Sequence, residues 1–210
     1  MEHGDFIAKS EYMKSPEIVT LGYGFIADMH IKAAREVGIN TVGVSGHNGD
    51  KAVQFANKHG ISHATDDWKQ LIDTTTADLV VVCTPNYLHY EQTIYALQMG
   101  KHVLVEKPAA IYVKDLESAL KEVKSNNIFF IENFLYRSHP QTLKLIKLIE
   151  ENYIGKIYRI KCSFGNDALG GRKLFGYRFK KPNKNKRLFN KELGGGAILD
   201  MGCYPVSMIS

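Results

Sequence analysis

Three groups of residues in this 210-residue chain combine the types and spacing that chemistry requires. Gly22-Tyr23-Gly24-Phe25-Ile26-Ala27 is a G-x-G-x-x-A turn between a β-prone run and a helical pattern. Small residues there let the backbone come close to a pyrophosphate, and the next helix offers unpaired N–H groups at its positive dipole end. A dinucleotide is the expected ligand. Glu106-Lys107-Pro108 ends a short apolar run, at the sheet edge where open α/β folds collect ligands. Hydride loss from an alcohol needs a base for the hydroxyl proton, and a lysine in a desolvated or electropositive setting can take it. Asp200 and Tyr204 are four apart, so one helix face carries both toward a common cleft. The glycines Gly194, Gly195 and Gly196 just before them suit a backbone that must approach a ligand.

Positioning those groups takes a regular scaffold. Strand patterns fall at Glu17 to Leu21, Asn40 to Ser45, Leu79 to Cys83, His102 to Val105 and Ile128 to Ile131. Between them come helices from Ile26 to Val37 and Lys51 to Lys58, one capped by Asp66 or Asp67 through Leu71, one from Pro85-Asn86 to Gly100, and one from Val113 to Lys124. This alternation implies an α/β fold with a doubly wound parallel (Rossmann) sheet, the apolar run Leu79 to Cys83 lying deep within it. After Glu132 the texture changes. A striped helix from Gln141 to Glu150, a lone strand from Lys156 to Phe164 and a last helix kinked at Pro205 make an incomplete α+β second domain. The expected organisation is an N-terminal extension over 1–16, a dinucleotide-binding domain over 17–134, and the start of a substrate-binding and dimerisation domain over 135–210.

Composition narrows the class. With 44% hydrophobic and 23% charged residues the chain is an ordinary globular sequence. Residues 1–16 lack the apolar core of a secretory signal, and no apolar run approaches bilayer length. A soluble, cytoplasmic protein without a membrane partner is expected. Cys83, Cys162 and Cys203 lack zinc-site spacing, so no metal is expected. The net charge of +5 hides a local excess, because nine of the 27 Lys and Arg residues lie between 168 and 191. There Arg172, Lys173, Arg178, Lys180, Lys181, Lys184, Lys186 and Arg187 interleave with Phe175, Tyr177, Phe179 and Phe189. The mixture is like that of single-strand nucleic-acid binders, but a solvated loop over the site mouth explains it, and no nucleic-acid partner is expected. About 20 residues after the glycine turn, where an acid would hold the ribose hydroxyls of NAD, stand Ser45-Gly46-His47-Asn48. Gly46 and His47 are therefore expected at the ribose, with a preference for NADP over NAD.

The glycine turn, Cys83-Thr84-Pro85-Asn86 with His89, Gly100-Lys101-His102-Val103, Glu106-Lys107-Pro108, Tyr136-Arg137-Ser138-His139-Pro140, Ile154-Gly155-Lys156-Ile157 and Gly194 to Pro205 occur in an order that resembles the Gfo/Idh/MocA oxidoreductase family. The resemblance implies a nicotinamide cofactor at Gly22, Gly24, Phe25, Ile26 and Ala27, with Thr84, Pro85, Asn86, His89, Glu106, Lys107 and Arg137 around it. It also implies that Lys107, Asp200 and Tyr204 meet at the reacting carbon. Lys107 is then general base or acid, Tyr204 relays or donates a proton, and Asp200 orients substrate hydroxyls or sustains the lysine charge; which of Lys107 and Tyr204 accepts the proton stays open. Tyr204, where many members carry His, is similar to dihydrodiol and sugar dehydrogenases, implying a sugar, polyol or cyclic diol substrate. Arg137 and His139 are candidate hydroxyl partners, His139 equally a helix-start residue. The family's second domain adds further antiparallel strands and mediates association, so a homo-oligomer is expected of the full-length form and a C-terminal truncation of this chain. The alternative is a non-catalytic or degenerate NAD(P)-binding protein.

Overall fold

The computed structural model describes residues 15–167, 169–170, 176–177, 181–184 and 186–210. Six parallel strands form one sheet: β1 (Glu17–Leu21), β2 (Asn40–Ser45), β3 (His63–Thr65), β4 (Leu79–Val82), β5 (His102–Glu106) and β6 (Phe130–Asn133), ordered β3-β2-β1-β4-β5-β6. Helices α1 (Phe25–Glu36), α2 (Gly49–His59), α3 (Trp68–Thr74), α4 (Asn86–Gln98) and α5 (Val113–Asn126) connect them. The order reverses between β1 and β4, which is where a doubly wound sheet opens a crevice at the carboxyl ends of its strands.

Local sequence explains most of these elements. Val19, Leu21, Val80, Val82, Val103 and Val105 bury one face of the central strands against Leu71, Ile72, Ala96 and Leu97. Ile18 and Val81 bury the other face beside Ala34, so β1 and β4 read as nearly continuous apolar runs. Asn48 accepts a hydrogen bond from the Lys51 N–H to start α2, and Gly60 ends that helix with φ of 66°. Asp67, rather than Asp66, caps α3, its carboxylate taking the N–H groups of Lys69 and Gln70.

Two strands depart from expectation. The three-residue β3 is too short to carry a period and exists by pairing with β2. β6 lies two residues beyond the Ile128 to Ile131 run, because Ile128 buries into the core as a lead-in and Phe130 pairs with Val103. That register brings Asn133 level with Glu106.

Beyond β6, α6 (Pro140–Glu150) and α7 (Cys203–Ile209) are present, α7 preceded by a π-helical turn over Ile198–Gly202. The expected strand from Lys156 to Phe164 is not formed. Residues 156–164 pair with no described strand and all are exposed; alternating apolar residues do not make a strand without a neighbouring ladder to take their N–H and C=O groups. At Pro205, where a kink was expected, the last helix carries a π-helical turn on its N-terminal side. The proline is the third residue of α7 but lies inside a helical run that is continuous from residue 197, and the irregularity is the π turn just upstream of it.

Residues 1–14 of the N-terminal extension, and Arg172, Lys173, Phe175, Arg178, Phe179 and Lys180 of the basic segment, lie outside the described residues. No helix among the described residues is long and apolar enough to cross a membrane.

Candidate active site

The glycine turn follows β1 directly. Gly22 has φ of 107°, and a Cβ there would stand 2.8 Å from the Cys83 carbonyl oxygen and 2.9 Å from its carbon, so this residue must be glycine for the turns after β1 and β4 to touch. Gly24 differs: a Cβ on it would meet nothing within 4 Å. Gly24 is the N-cap of α1 and gives no side-chain cap, leaving first-turn N–H groups available around that open space. Ala27 is fully buried against the sheet, whereas Phe25 is 76% exposed. This fits a pyrophosphate at the start of α1.

At the tip of β2 the Tyr23 ring lies across Gly46, whose Cβ would come within 2.1 Å of it. The Tyr23 hydroxyl is 2.9 Å from His47 Nδ1. Tyr23, the variable residue of the turn, is thus placed beside Gly46 and His47 at the tip of β2.

On the other side of the switch point, a cavity of about 270 Å³ lies at the carboxyl ends of β4, β5 and β6, bounded by Ile26, Thr84, Glu106, Lys107, Asn133, Arg187, Asp200 and Tyr204 among others. Lys107 Nζ donates to the main-chain carbonyl of Asp200 at 2.6 Å. It also sits 4.7 Å from the centre of the Tyr204 ring, within cation–π range. The Asp200 carboxylate turns elsewhere, accepting from Arg187 Nη2 at 2.9 Å. Lys107 is thus in contact with the backbone of Asp200, not with its carboxylate. The π turn accounts for this: an i+5 bond to the Asp200 carbonyl would have to come from residue 205, a proline with no N–H, and the lysine donates to that oxygen.

Burial raises the pKa of Tyr204, and the acidic groups of Cys203, Glu106 and Asp200 nearby push it the same way, so the phenol stays protonated. For Glu106, burial works to raise the pKa, but hydrogen bonds from His30 and Asn133 together outweigh it and hold the carboxyl below its ordinary value. Both donors reach one oxygen, Oε1, His30 Nε2 at 2.8 Å and Asn133 Nδ2 at 2.6 Å.

The loops are tied from behind. His89 is 1% exposed, with Nδ1 2.7 Å from the Pro108 carbonyl and Nε2 2.7 Å from the Thr84 carbonyl. Desolvation lowers its pKa against the pull of those two bonds. His89 thus joins the turn after β4 to the turn after β5. Thr84 Oγ1 donates to Gln92, Pro85 is the N-cap of α4, and buried Asn86 donates from Nδ2 to the Gly194 carbonyl at 2.9 Å.

That last contact corrects the reading of the triple glycine. A Cβ on Gly194 would stand 2.8 Å from Asn86 Cβ, and one on Gly195 would stand 1.9 Å from the Arg187 carbonyl. These two glycines serve packing, and only Gly196 faces open space. Arg137 is exposed and outside the cavity, its Nη2 directed to the Ser207 carbonyl at 3.4 Å. His139 is a helix-start residue, its Nδ1 accepting the Gln141 N–H at the N-cap of α6. Three further side chains join the predicted ones: His30 and Asn133 through Glu106, and Arg187, which the sequence placed in the basic loop, through Asp200. His30 was readable as the residue one helical turn beyond Ile26, whereas Asn133 depended on the register of β6.

A parallel sheet with a glycine turn at its switch point and an ionisable cluster at its carboxyl edge defines a nucleotide-binding oxidoreductase scaffold. The family described as an oxidoreductase family with an NAD-binding Rossmann fold, GFO_IDH_MocA, matches residues 17–134, and the GFO/IDH/MocA C-terminal domain matches residues 142–210. The chain belongs to the Gfo/Idh/MocA oxidoreductase family. It is 29% identical over 169 residues to trans-1,2-dihydrobenzene-1,2-diol dehydrogenase of Xenopus tropicalis, covering 80% of this chain and 47% of that protein. It is 27% identical over 185 residues to scyllo-inositol 2-dehydrogenase (NADP(+)) IolU of Bacillus subtilis, covering 88% and 54%. Among solved structures, myo-inositol 2-dehydrogenase from Lactobacillus plantarum superposes with a TM-score of 0.63 at 26% identity, over 69% of this chain and 43% of that one. The chain thus spans about half the length of the curated relatives it matches.

Proposed function

We propose that this chain carries the cofactor site and the reacting side chains of an oxidoreductase that moves a hydride between a nicotinamide cofactor and a CH–OH carbon of a sugar, polyol or cyclic diol. The observation that carries the reading is the position of Lys107 Nζ, in one cavity with the Tyr204 ring and the Asp200 carbonyl. The nicotinamide, when bound, gives or takes the hydride. Gly22, Gly24 and the start of α1 hold the pyrophosphate, and Thr84, Asn86 and Glu106 border the nicotinamide half. Tyr23, Gly46 and His47 stand where the ribose is read; without an acid there, NADP is favoured over NAD.

In oxidation the substrate hydroxyl proton passes to Lys107 Nζ, and in reduction it returns. Tyr204 keeps its phenolic proton and so serves as hydrogen-bond donor rather than base, which favours Lys107 as the acceptor. Arg187 fixes the Asp200 carboxylate beside substrate hydroxyls. The dihydrodiol and inositol dehydrogenases among the relatives support the substrate class. Residues 17–134 are assigned to the dinucleotide domain and 135–210 to the start of the substrate domain, with homo-oligomer formation assigned to the whole protein.

The test is NADP(H) and NAD(H) turnover by the full chain against sugars, inositols and cyclic diols, followed through nicotinamide absorbance. Lys107→Met is expected to abolish turnover and leave cofactor affinity within about twofold. Undiminished turnover in that variant would refute the role of Lys107, and tighter binding of NADH than NADPH would refute the NADP preference.

A further inference from the structure

We propose that His30 and Asn133 are positioning residues that keep Glu106 anionic and turned to the cleft, where its charge favours the oxidised, cationic nicotinamide over the reduced, neutral ring. This rests on the function proposed above. Three elements converge to make the arrangement: α1 supplies His30, β6 supplies Asn133, and Glu106 is the last residue of β5. Asn133 is the direct register partner of Glu106, and the side chains of His30 and Glu106 are only 16% and 14% exposed. A carboxylate held so far from water is costly unless hydrogen-bonded. Here two donors serve one oxygen, Oε1.

An ionised carboxylate only accepts, so His30 must present N–H at Nε2. Among the described residues no donor reaches the second oxygen, Oε2, and Glu106 borders the cavity it shares with Lys107. With the pyrophosphate at α1 and the adenosine ribose at the tip of β2, the nicotinamide half of a dinucleotide extends toward β4 and β5, the side on which Glu106 stands. Two of the other groups that interact with Glu106, Cys83 and Tyr204, are held protonated and neutral by burial, and His89 is directed to the Pro108 and Thr84 carbonyls. Lys107, its neighbour in the chain, is directed to the Asp200 carbonyl.

The test is equilibrium binding to the full chain between pH 5 and 8. NADPH and NADH are followed by fluorescence, and NADP+ and NAD+ by competition. His30→Leu and Asn133→Leu are each expected to weaken the oxidised forms about tenfold, as a partly screened charge pair implies, and to change the reduced forms little. Losing a donor lets burial raise the Glu106 pKa, so the loss of oxidised-cofactor binding in acid should begin at higher pH. His30→Gln keeps an N–H donor and is expected to restore both quantities. Glu106→Gln, near in volume, should weaken the oxidised forms at pH 7 at least as much as the leucine variants and remove the acid limb. If the leucine variants do not fold, Glu106→Gln and His30→Gln decide. An unchanged oxidised-to-reduced ratio in Glu106→Gln, or equal weakening of both forms in the other variants, overturns the inference while wild-type binding stands. Failure of the wild type to bind either cofactor would instead overturn the proposed function, and the inference with it.

Discussion

Replacing Gly22 and Gly24 separately by alanine separates what the glycine turn does for the fold from what it does for a ligand. At Gly22 the new methyl meets the Cys83 carbonyl at 2.8 Å and forces a side chain onto a backbone with φ of 107°. The backbone strain costs about 1–3 kcal/mol and the steric conflict with main chain, which cannot rotate away, about the same again. A loss of about 3 kcal/mol is a substantial part of a domain stability of about 5–15 kcal/mol. With a urea slope of about 2 kcal/mol per molar, it should lower the unfolding midpoint by about 1.5 M. At Gly24 the added Cβ meets nothing within 4 Å and φ is −84°, so stability should fall by about 1 kcal/mol or less, as an N-cap change. Yet that methyl would enter the space beside the first-turn N–H groups, and NADPH affinity should drop at least about tenfold, about 1.4 kcal/mol. Urea unfolding by circular dichroism and NADPH fluorescence titration measure the two quantities. A Gly24→Ala protein with wild-type affinity, or a Gly22→Ala protein with a wild-type midpoint, would refute the division.

Asp28 is held well below the ordinary carboxylate range by hydrogen bonds from Lys32 and Lys58, against some desolvation. Its contribution is therefore complete above the unfolded carboxyl pKa of about 3.9 and is lost as pH falls below that value. The stability gap between wild type and Asp28→Asn, followed by thermal unfolding, should shrink as pH falls below 4; a gap that widens there would contradict this. Asp200→Asn removes the charge that faces Arg187 but not the carbonyl that Lys107 uses. It should cost about 1 kcal/mol in urea unfolding and leave cofactor affinity nearly unchanged, and a loss of cofactor binding would count against the assignment.

The sheet was legible because its central strands are buried on both faces and carry apolar runs between glycine and proline punctuation. The glycine turn and Glu106-Lys107 followed, since both sit at strand ends. What stayed hidden depended on pairing rather than on pattern. β3 is three residues long and exists through β2; the register of β6, and with it Asn133, is set by β5. Conversely, the run from Lys156 to Phe164 reads like a strand, yet residues 156–164 have no partner among the described strands. In the site, helical spacing grouped Asp200 with Tyr204 correctly, but it could not tell main chain from side chain. The triple glycine looked like a ligand approach, while two of its members make room for Asn86, Ile111 and the Arg187 backbone.

The hydrogen bond from Lys107 to the Asp200 carbonyl gives the site an unusual kind of robustness. A partner that is a peptide oxygen is encoded by no codon of its own, so side-chain replacement at position 200 cannot delete it. Drift at that position can alter the carboxylate and its contact with Arg187, while the resting place of the lysine is inherited with the shape of the turn. The residue that can disturb that anchor is Pro205, five positions downstream: an amide hydrogen there would compete with the ammonium for the same oxygen.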